Sequence, residues 1–240
     1  MSYWDSVKGE YINMRAILLL LLAGCVMAKP CATGFEFVGV KYQNSPLGEG
    51  VLPDADPLIR VDAFDCTTFV ETVLADSNLE KLNCIRYRDG KIGFLNRNHF
   101  IESDWLQNNA DLVENVSADF APTKIHTVQI DKANWFKVVH GIDAYFDVQM
   151  VDIEYIPYEF VSDIRVDEMH VVLFVADNSK KRDKIGTDLA VVHMGFLLPN
   201  GVLRHASSVK KMVVDVDFVE YTDGLRQNAD NLGVAVVKIK

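Results

Sequence analysis

The last third of the chain constrains its fold more than any other feature. Residues 169–176, 189–198, 202–206, 211–216 and 233–239 are each of strand length and rich in β-branched and apolar side chains. Pro199-Asn200-Gly201 is a turn signal joining the second of these segments to the third. A chain with such a second half must build a sheet, and short connections make its strands antiparallel neighbours. The first half reads differently. Residues 43–60, with Pro46, Pro53, Pro57, Gly48 and Gly50, read as an irregular approach loop. Asp65 can cap a helix in which Phe69, Val70, Val73 and Leu74 recur on one face. Residues 85–95 read as a β-hairpin turning at Asp89-Gly90, and residues 99–109 and 134–145 as helices. Helices first and antiparallel strands later predict an α+β domain with helices packed on one sheet.

The 240 residues carry a formal charge of −10 and are 49% hydrophobic, a globular composition without repeats or low-complexity tracts. An acidic balance disfavours nucleic acid, whose phosphates call for a basic face, and gives no attraction to anionic lipid. Residues 16–28 form an uncharged run of 13 after Arg15. Spanning a bilayer takes about 20 apolar residues, so this run reads as a secretory leader. Leu22-Ala23-Gly24-Cys25 resembles a bacterial lipobox, in which Cys25 becomes the lipidated N-terminus. Cleavage after Val26-Met27-Ala28 is the other reading, and translation from Met14 rather than Met1 also fits. The expected division is a leader at 1–28 and a single domain at 29–240. In an oxidising compartment Cys31 and Cys84 are free to pair, but their spacing does not decide it. Membrane contact is expected only through a lipid on Cys25.

Cys66 falls on the first turn of the helix that Asp65 caps. Unpaired backbone N–H groups there favour a thiolate, while the adjacent Asp65 carboxylate opposes it. A cysteine nucleophile also needs a base. His193 lies in one predicted strand and His205 in the next. If Pro199-Asn200-Gly201 is the whole loop, Leu198 pairs Val202 and Gly195 pairs His205. The two histidines then share a face as diagonal neighbours about 7–8 Å apart, whereas a four-residue loop separates them onto opposite faces. Gly195 leaves room for close approach. Taken singly, such a cysteine is more often a small buried residue, and such histidines more often packed or surface groups. Metal ligation by the histidines lacks a His-Glu-x-x-His motif and an obvious third ligand. Ser207 and Ser208 lack a Gly-x-Ser-x-Gly elbow, so a serine hydrolase is disfavoured.

Several motifs recur in a known order: Gly39-Val40-Lys41-Tyr42-Gln43-Asn44-Ser45-Pro46-Leu47-Gly48-Glu49-Gly50, Phe64-Asp65-Cys66-Thr67-Thr68-Phe69-Val70-Glu71-Thr72, Arg97-Asn98-His99-Phe100, Asp104-Trp105, His193-Met194-Gly195 and His205-Ala206-Ser207-Ser208. Together they resemble the bacterial N-acetylmuramoyl-L-alanine amidase-like family, related to the NlpC-type papain-like cysteine amidases. The resemblance implies a papain-like core, with the nucleophile at the start of a helix packed on an antiparallel sheet that carries the histidines. It assigns Cys66 as nucleophile, His193 as general base and His205 as the residue orienting it, with Tyr42 near the oxyanion. Arg97 and His99 are expected either to line the cleft and meet anionic stem-peptide groups or to serve equally well in packing or at the surface. Trp105 is expected in the core, with Asp104 as its hydrogen-bonding neighbour. The implied substrate is peptidoglycan or its muropeptides, cut between N-acetylmuramic acid and L-alanine. Cleavage within the stem peptide and a non-catalytic envelope protein are the alternatives. No cofactor, metal or nucleic acid is expected, and the protein is expected to act as a monomer.

Overall fold

The computed structural model describes residues 33–240. The leader at 1–28, the lipobox with Cys25, and Cys31 lie outside the described residues. In chain order the strands are β1 Lys41–Tyr42, β2 Ala63–Phe64, β3 Val113–Asn115, β4 Lys124–Ile130, β5 Gln149–Pro157, β6 His170–Ala176, β7 Val191–Leu197, β8 Val202–Ser207, β9 Met212–Asp217 and β10 Asn231–Ile239. The helices are α1 Cys66–Leu74, α2 Leu79–Arg86, α3 Leu106–Asn108, α4 Lys132–His140, α5 Arg182–Ile185 and α6 Phe218–Leu225.

The strands form a mixed sheet in the order β2-β1-β9-β8-β7-β6-β10-β5-β4, with β3 pairing the far end of β10. Only the β1–β2 pair is parallel among these strands. The central strands read as nearly continuous apolar runs because both faces of the sheet are covered. Along β6, Val171, Leu173 and Val175 enter one core with Phe69 and Val73 of α1. Val172 and Phe174 enter a second core with Phe218 of α6 and Tyr158 and Val161 of a 3-10 segment. Each fully buried Val, Leu or Phe contributes about 1.5–3 kcal/mol, so this sandwiching is the main fixative of the sheet.

All five strands expected from the second half are present. Leu198 N–H donates to the Val202 carbonyl at 3.0 Å, and Leu197 pairs with Leu203, so Pro199-Asn200-Gly201 is the whole loop. Three other expectations are corrected. Residues 85–95 are not a hairpin. Asn78 caps α2 by accepting from Lys81 N–H at 3.0 Å, and the helix runs through Arg86. Asp89 and Gly90 do turn, at φ 55° and 66°, but the flanks share only an isolated bridge between Tyr87 and Arg97. The helix expected at 99–109 is a π-turn at Ile101–Trp105 followed by the single turn α3. The helix expected at 134–145 starts earlier, where Asp131 caps Asn134 N–H, and stops at Gly141 in the left-handed conformation. β4 and β5 were not expected from the pattern: β4 is an edge strand with Lys124, Thr127 and Gln129 interleaved, so hydrophobicity does not mark it.

Candidate active site

The first turn of α1 is held by reciprocal hydrogen bonds. Asp65 Oδ1 accepts from Thr68 N–H at 2.8 Å and from Thr68 Oγ1 at 2.8 Å, while Asp65 N–H donates to Thr68 Oγ1 at 3.0 Å. Such a capping box fixes where the helix begins, and so places Cys66 at its first position. The other carboxylate oxygen, Oδ2, accepts from Ser45 N–H at 3.0 Å. One side chain therefore sets both the cysteine and the approach loop. β1 lies parallel to β2 with Tyr42 opposite Phe64, two residues before Cys66. This brings Tyr42 into electrostatic range of the thiol: burial raises its pKa first, then Cys66 and Asp65 add to the rise.

Cys66 is a free thiol, half-buried, whereas Cys84 in α2 is disulfide-bonded. Burial, and then Asp65, push the Cys66 thiol up to about 11, against smaller lowering contacts from Met194 and Thr67 backbone and the Thr67 side chain. The contest between helix dipole and Asp65 that the sequence leaves open therefore ends with a protonated resting cysteine. The Met194 contact ties the sulfur to β7 at the residue following His193.

His193 Nε2 and His205 Nδ1 lie 2.7 Å apart, with ring centroids at 4.9 Å. They share one face of the β7–β8 pair, as the three-residue loop requires. Burial drives both below the usual histidine range, His193 to about 3 with His205 adding to the fall, and His205 to about 4 despite an opposing pull from Asp215. Both rings are thus neutral at pH 7, so one hydrogen occupies the line between them and the pair is a donor–acceptor relay.

Sequence reasoning missed Tyr221 of α6. Its ring packs 4.9 Å from His205 and 6.4 Å from His193. Burial and the nearby Cys66 raise its phenol to about 12. No motif marks it; an amphipathic helix after β9 is the only trace it leaves. Together Tyr221, the histidine pair and the β8–β9 turn enclose a cavity of about 330 Å³.

The structure does not bring Arg97 or His99 into hydrogen-bond or ring contact with Cys66 or the two histidines. Arg97 donates through Nε and Nη2 to Glu49 at 2.7–2.8 Å and through Nη2 to Asp54 at 2.7 Å. Its charge is already answered by two carboxylates of the approach loop. His99 Nε2 meets the Phe94 carbonyl at 2.7 Å inside a cluster with Trp135 and Phe136, where burial lowers its pKa to about 3. Trp105 is fully buried as expected, but its Nε1 has no partner, and Asp104 instead accepts from Lys132 Nζ and Phe100 N–H. Among the described residues no three His, Cys, Asp or Glu side chains converge as metal ligands.

Known proteins frame this geometry. The family model AmiA-like, described as N-acetylmuramoyl-L-alanine amidase-like, matches residues 32–228. No curated protein sequence matches the chain. A crystal structure of a Legionella pneumophila protein is similar at 26% identity and a TM-score of 0.77, covering 86% of each chain. An N-acetylmuramoyl-L-alanine amidase from Bacteroides uniformis is similar at 23% identity and a TM-score of 0.64, over 86% of this chain and 97% of its own. A Bacteroides fragilis protein described as a putative xylanase gives 23% identity and a TM-score of 0.65, over 86% and 98%. The last two likenesses establish the fold.

Proposed function

Since this chain belongs to the N-acetylmuramoyl-L-alanine amidase-like family, we propose that it is a cysteine amidase of peptidoglycan, cutting the amide between N-acetylmuramic acid and L-alanine. The observation that carries this reading is the His193–His205 hydrogen bond on β7 and β8, with β7 also contacting the Cys66 sulfur through Met194. We read the helix-on-sheet arrangement as a papain-like, NlpC-type core filling one domain from residue 29 onward.

The protonation states dictate the route. A thiol held near 11 is no standing nucleophile, so its proton must leave as the sulfur attacks the carbonyl. His193 takes it on Nδ1, which requires its resting hydrogen on Nε2, donated to His205 Nδ1. His205 then carries its own hydrogen on Nε2. His205 therefore selects the His193 tautomer and, staying neutral, accepts from the imidazolium that forms. The oxyanion of the tetrahedral intermediate meets the Cys66 N–H at the helix start and the neutral Tyr42 phenol. The imidazolium protonates the departing amine, and the freed ring activates water to hydrolyse the thioester. Export by the 1–28 leader, with Cys25 as a lipid-bearing terminus, would put the protein beside this substrate in the periplasm.

The test is incubation of the purified protein with defined muropeptides, products being identified by mass spectrometry. Intact stem peptide plus free sugar is expected, with Cys66→Ala reducing the rate by at least about a thousandfold. A shortened stem would instead assign cleavage inside the peptide, and equal cleavage by Cys66→Ala would remove the cysteine mechanism.

A further inference from the structure

The cavity beside the histidine pair has a composition that the proposed reaction does not require. Its walls come from Val192 of β7, Ser207 at the end of β8, Ser208, Val209 and Lys210 of the β8–β9 turn, and Tyr221 of α6. The protein carries a net charge of −10, yet this cavity has no acidic side chain on its wall. Lys210 is its one charged group, since both histidines are held neutral by burial. Asp215 acts on His205 from the neighbouring strand, but its carboxylate is committed to Arg204, which donates from Nε and Nη2 at 2.8 Å each. Lys210 makes no ion pair with the described residues, and its backbone is fixed by donating to Ser207 Oγ at 3.1 Å. Val192, Val209 and Val216 add aliphatic lining, and Tyr221 offers a phenol that stays protonated.

Aliphatic lining with neutral hydroxyl groups and one unanswered cation fits an aliphatic stem ending in a carboxylate. We propose that this cavity is the subsite for a carboxylate-bearing part of the substrate's peptide, with Lys210 reading the charge. The proposal rests on the amidase reading and adds the chemistry that the site selects. A neutral sugar or an amidated peptide would leave Lys210 unpaired, while a cationic side chain would meet it as a like charge.

The probes are N-acetylmuramoyl-L-alanyl-D-glutamate and its diamide, which has no free carboxylate on the peptide. Wild type is expected to cleave the acid with kcat/KM about tenfold above the diamide, the size of one charge-assisted hydrogen bond, with the difference carried mainly by KM. Lys210→Met is expected to erase the preference and Lys210→Glu to invert it. Lys180→Met, which removes an exposed lysine paired with Asp230 outside this cavity, should keep the tenfold ratio. Raising salt should shrink the wild-type preference. Equal wild-type rates on the two probes, or a Lys210→Met protein that still prefers the acid, would overturn the subsite while leaving the amidase reading intact. Cleavage of neither probe by wild type would remove the amidase reading, and the subsite with it.

Discussion

A Cβ built on Gly195 would lie 2.8 Å from the Arg204 carbonyl oxygen and 2.8 Å from His205 Cβ. β8 can thus bring His205 against His193 only because position 195 has no side chain. Gly195→Ala should push β8 away and lengthen the 2.7 Å contact between the rings, costing about 1–3 kcal/mol of stability from overpacking. Its activity should fall further than that loss explains, which kcat measured well below the melting transition would reveal. The thiol gives a second residue-scale prediction. Iodoacetamide labelling of Cys66 should keep accelerating up to about pH 11, not level off near the ordinary thiol value of 9.0. Asp65→Asn keeps an oxygen for the cap but removes the second-largest cause of the rise, so its labelling profile should move to lower pH. At this scale the sequence was informative where spacing alone decides geometry: a three-residue loop puts His193 and His205 on one face. It was silent on Tyr221, whose contact with the histidines depends on how α6 folds back over the sheet. It also could not show that Arg97 is occupied by Glu49 and Asp54, since those partners lie more than forty positions away.

α1 and α2 are joined by a buried ion pair. Glu71 Oε2 accepts from Arg86 Nη1 at 2.8 Å, and Arg86 Nη2 donates to the Leu47 carbonyl at 3.3 Å. Tyr87 Oη adds hydrogen bonds to the Gly48 carbonyl and Glu49, each at 3.1 Å. The end of α2 therefore holds the approach loop that also reaches Asp65 through Ser45. Arg86→Met should leave Glu71 buried and uncompensated, lowering unfolding stability by about 3–5 kcal/mol in urea titrations. Pairing it with Glu71→Leu should recover much of that loss, because no buried charge then remains. This ion pair also explains why the hairpin expectation failed. Asp89-Gly90 is a true turn signal, but Ile85 and Arg86 before it are committed to a helix by contacts with α1 that no local pattern contains.

The whole molecule is a sheet covered on both faces, and its pH response should follow from the groups sealed inside. His193 and His205 have pKa values depressed from 6.5 to about 3 and about 4. Their contribution to stability is fully present above pH 6.5 and is lost as pH falls through those folded values. Glu102 runs the other way: burial raises it from 4.5 to about 7, so its contribution is complete below pH 4.5 and is lost as pH rises through 7. His99, lowered to about 3 by burial, acts in the same sense, so the histidines outweigh one carboxyl. Urea midpoints should therefore fall from pH 6.5 downward and most steeply below 4.5, where Glu102 no longer offsets them. The α+β class was legible because β-branched runs name a sheet wherever its strands are buried. The full strand order was not, because β10 closes the sheet between strands written far earlier.

That placement of β10 bears on how the protein comes into being. It pairs with β6 along its length and, on its other edge, with β5 and β3, joining Val237 to Asn115 across more than a hundred intervening residues. Contacts so distant in sequence make folding slow and leave little native structure to form piecemeal. During synthesis at the ribosome, β3, β5 and β6 emerge long before residues 231–239 exist to bridge them, and the histidine strands have no finished sheet to lie in. A nascent chain would therefore keep an open sheet, and no completed candidate site, until residues 231–239 have been made and have closed it.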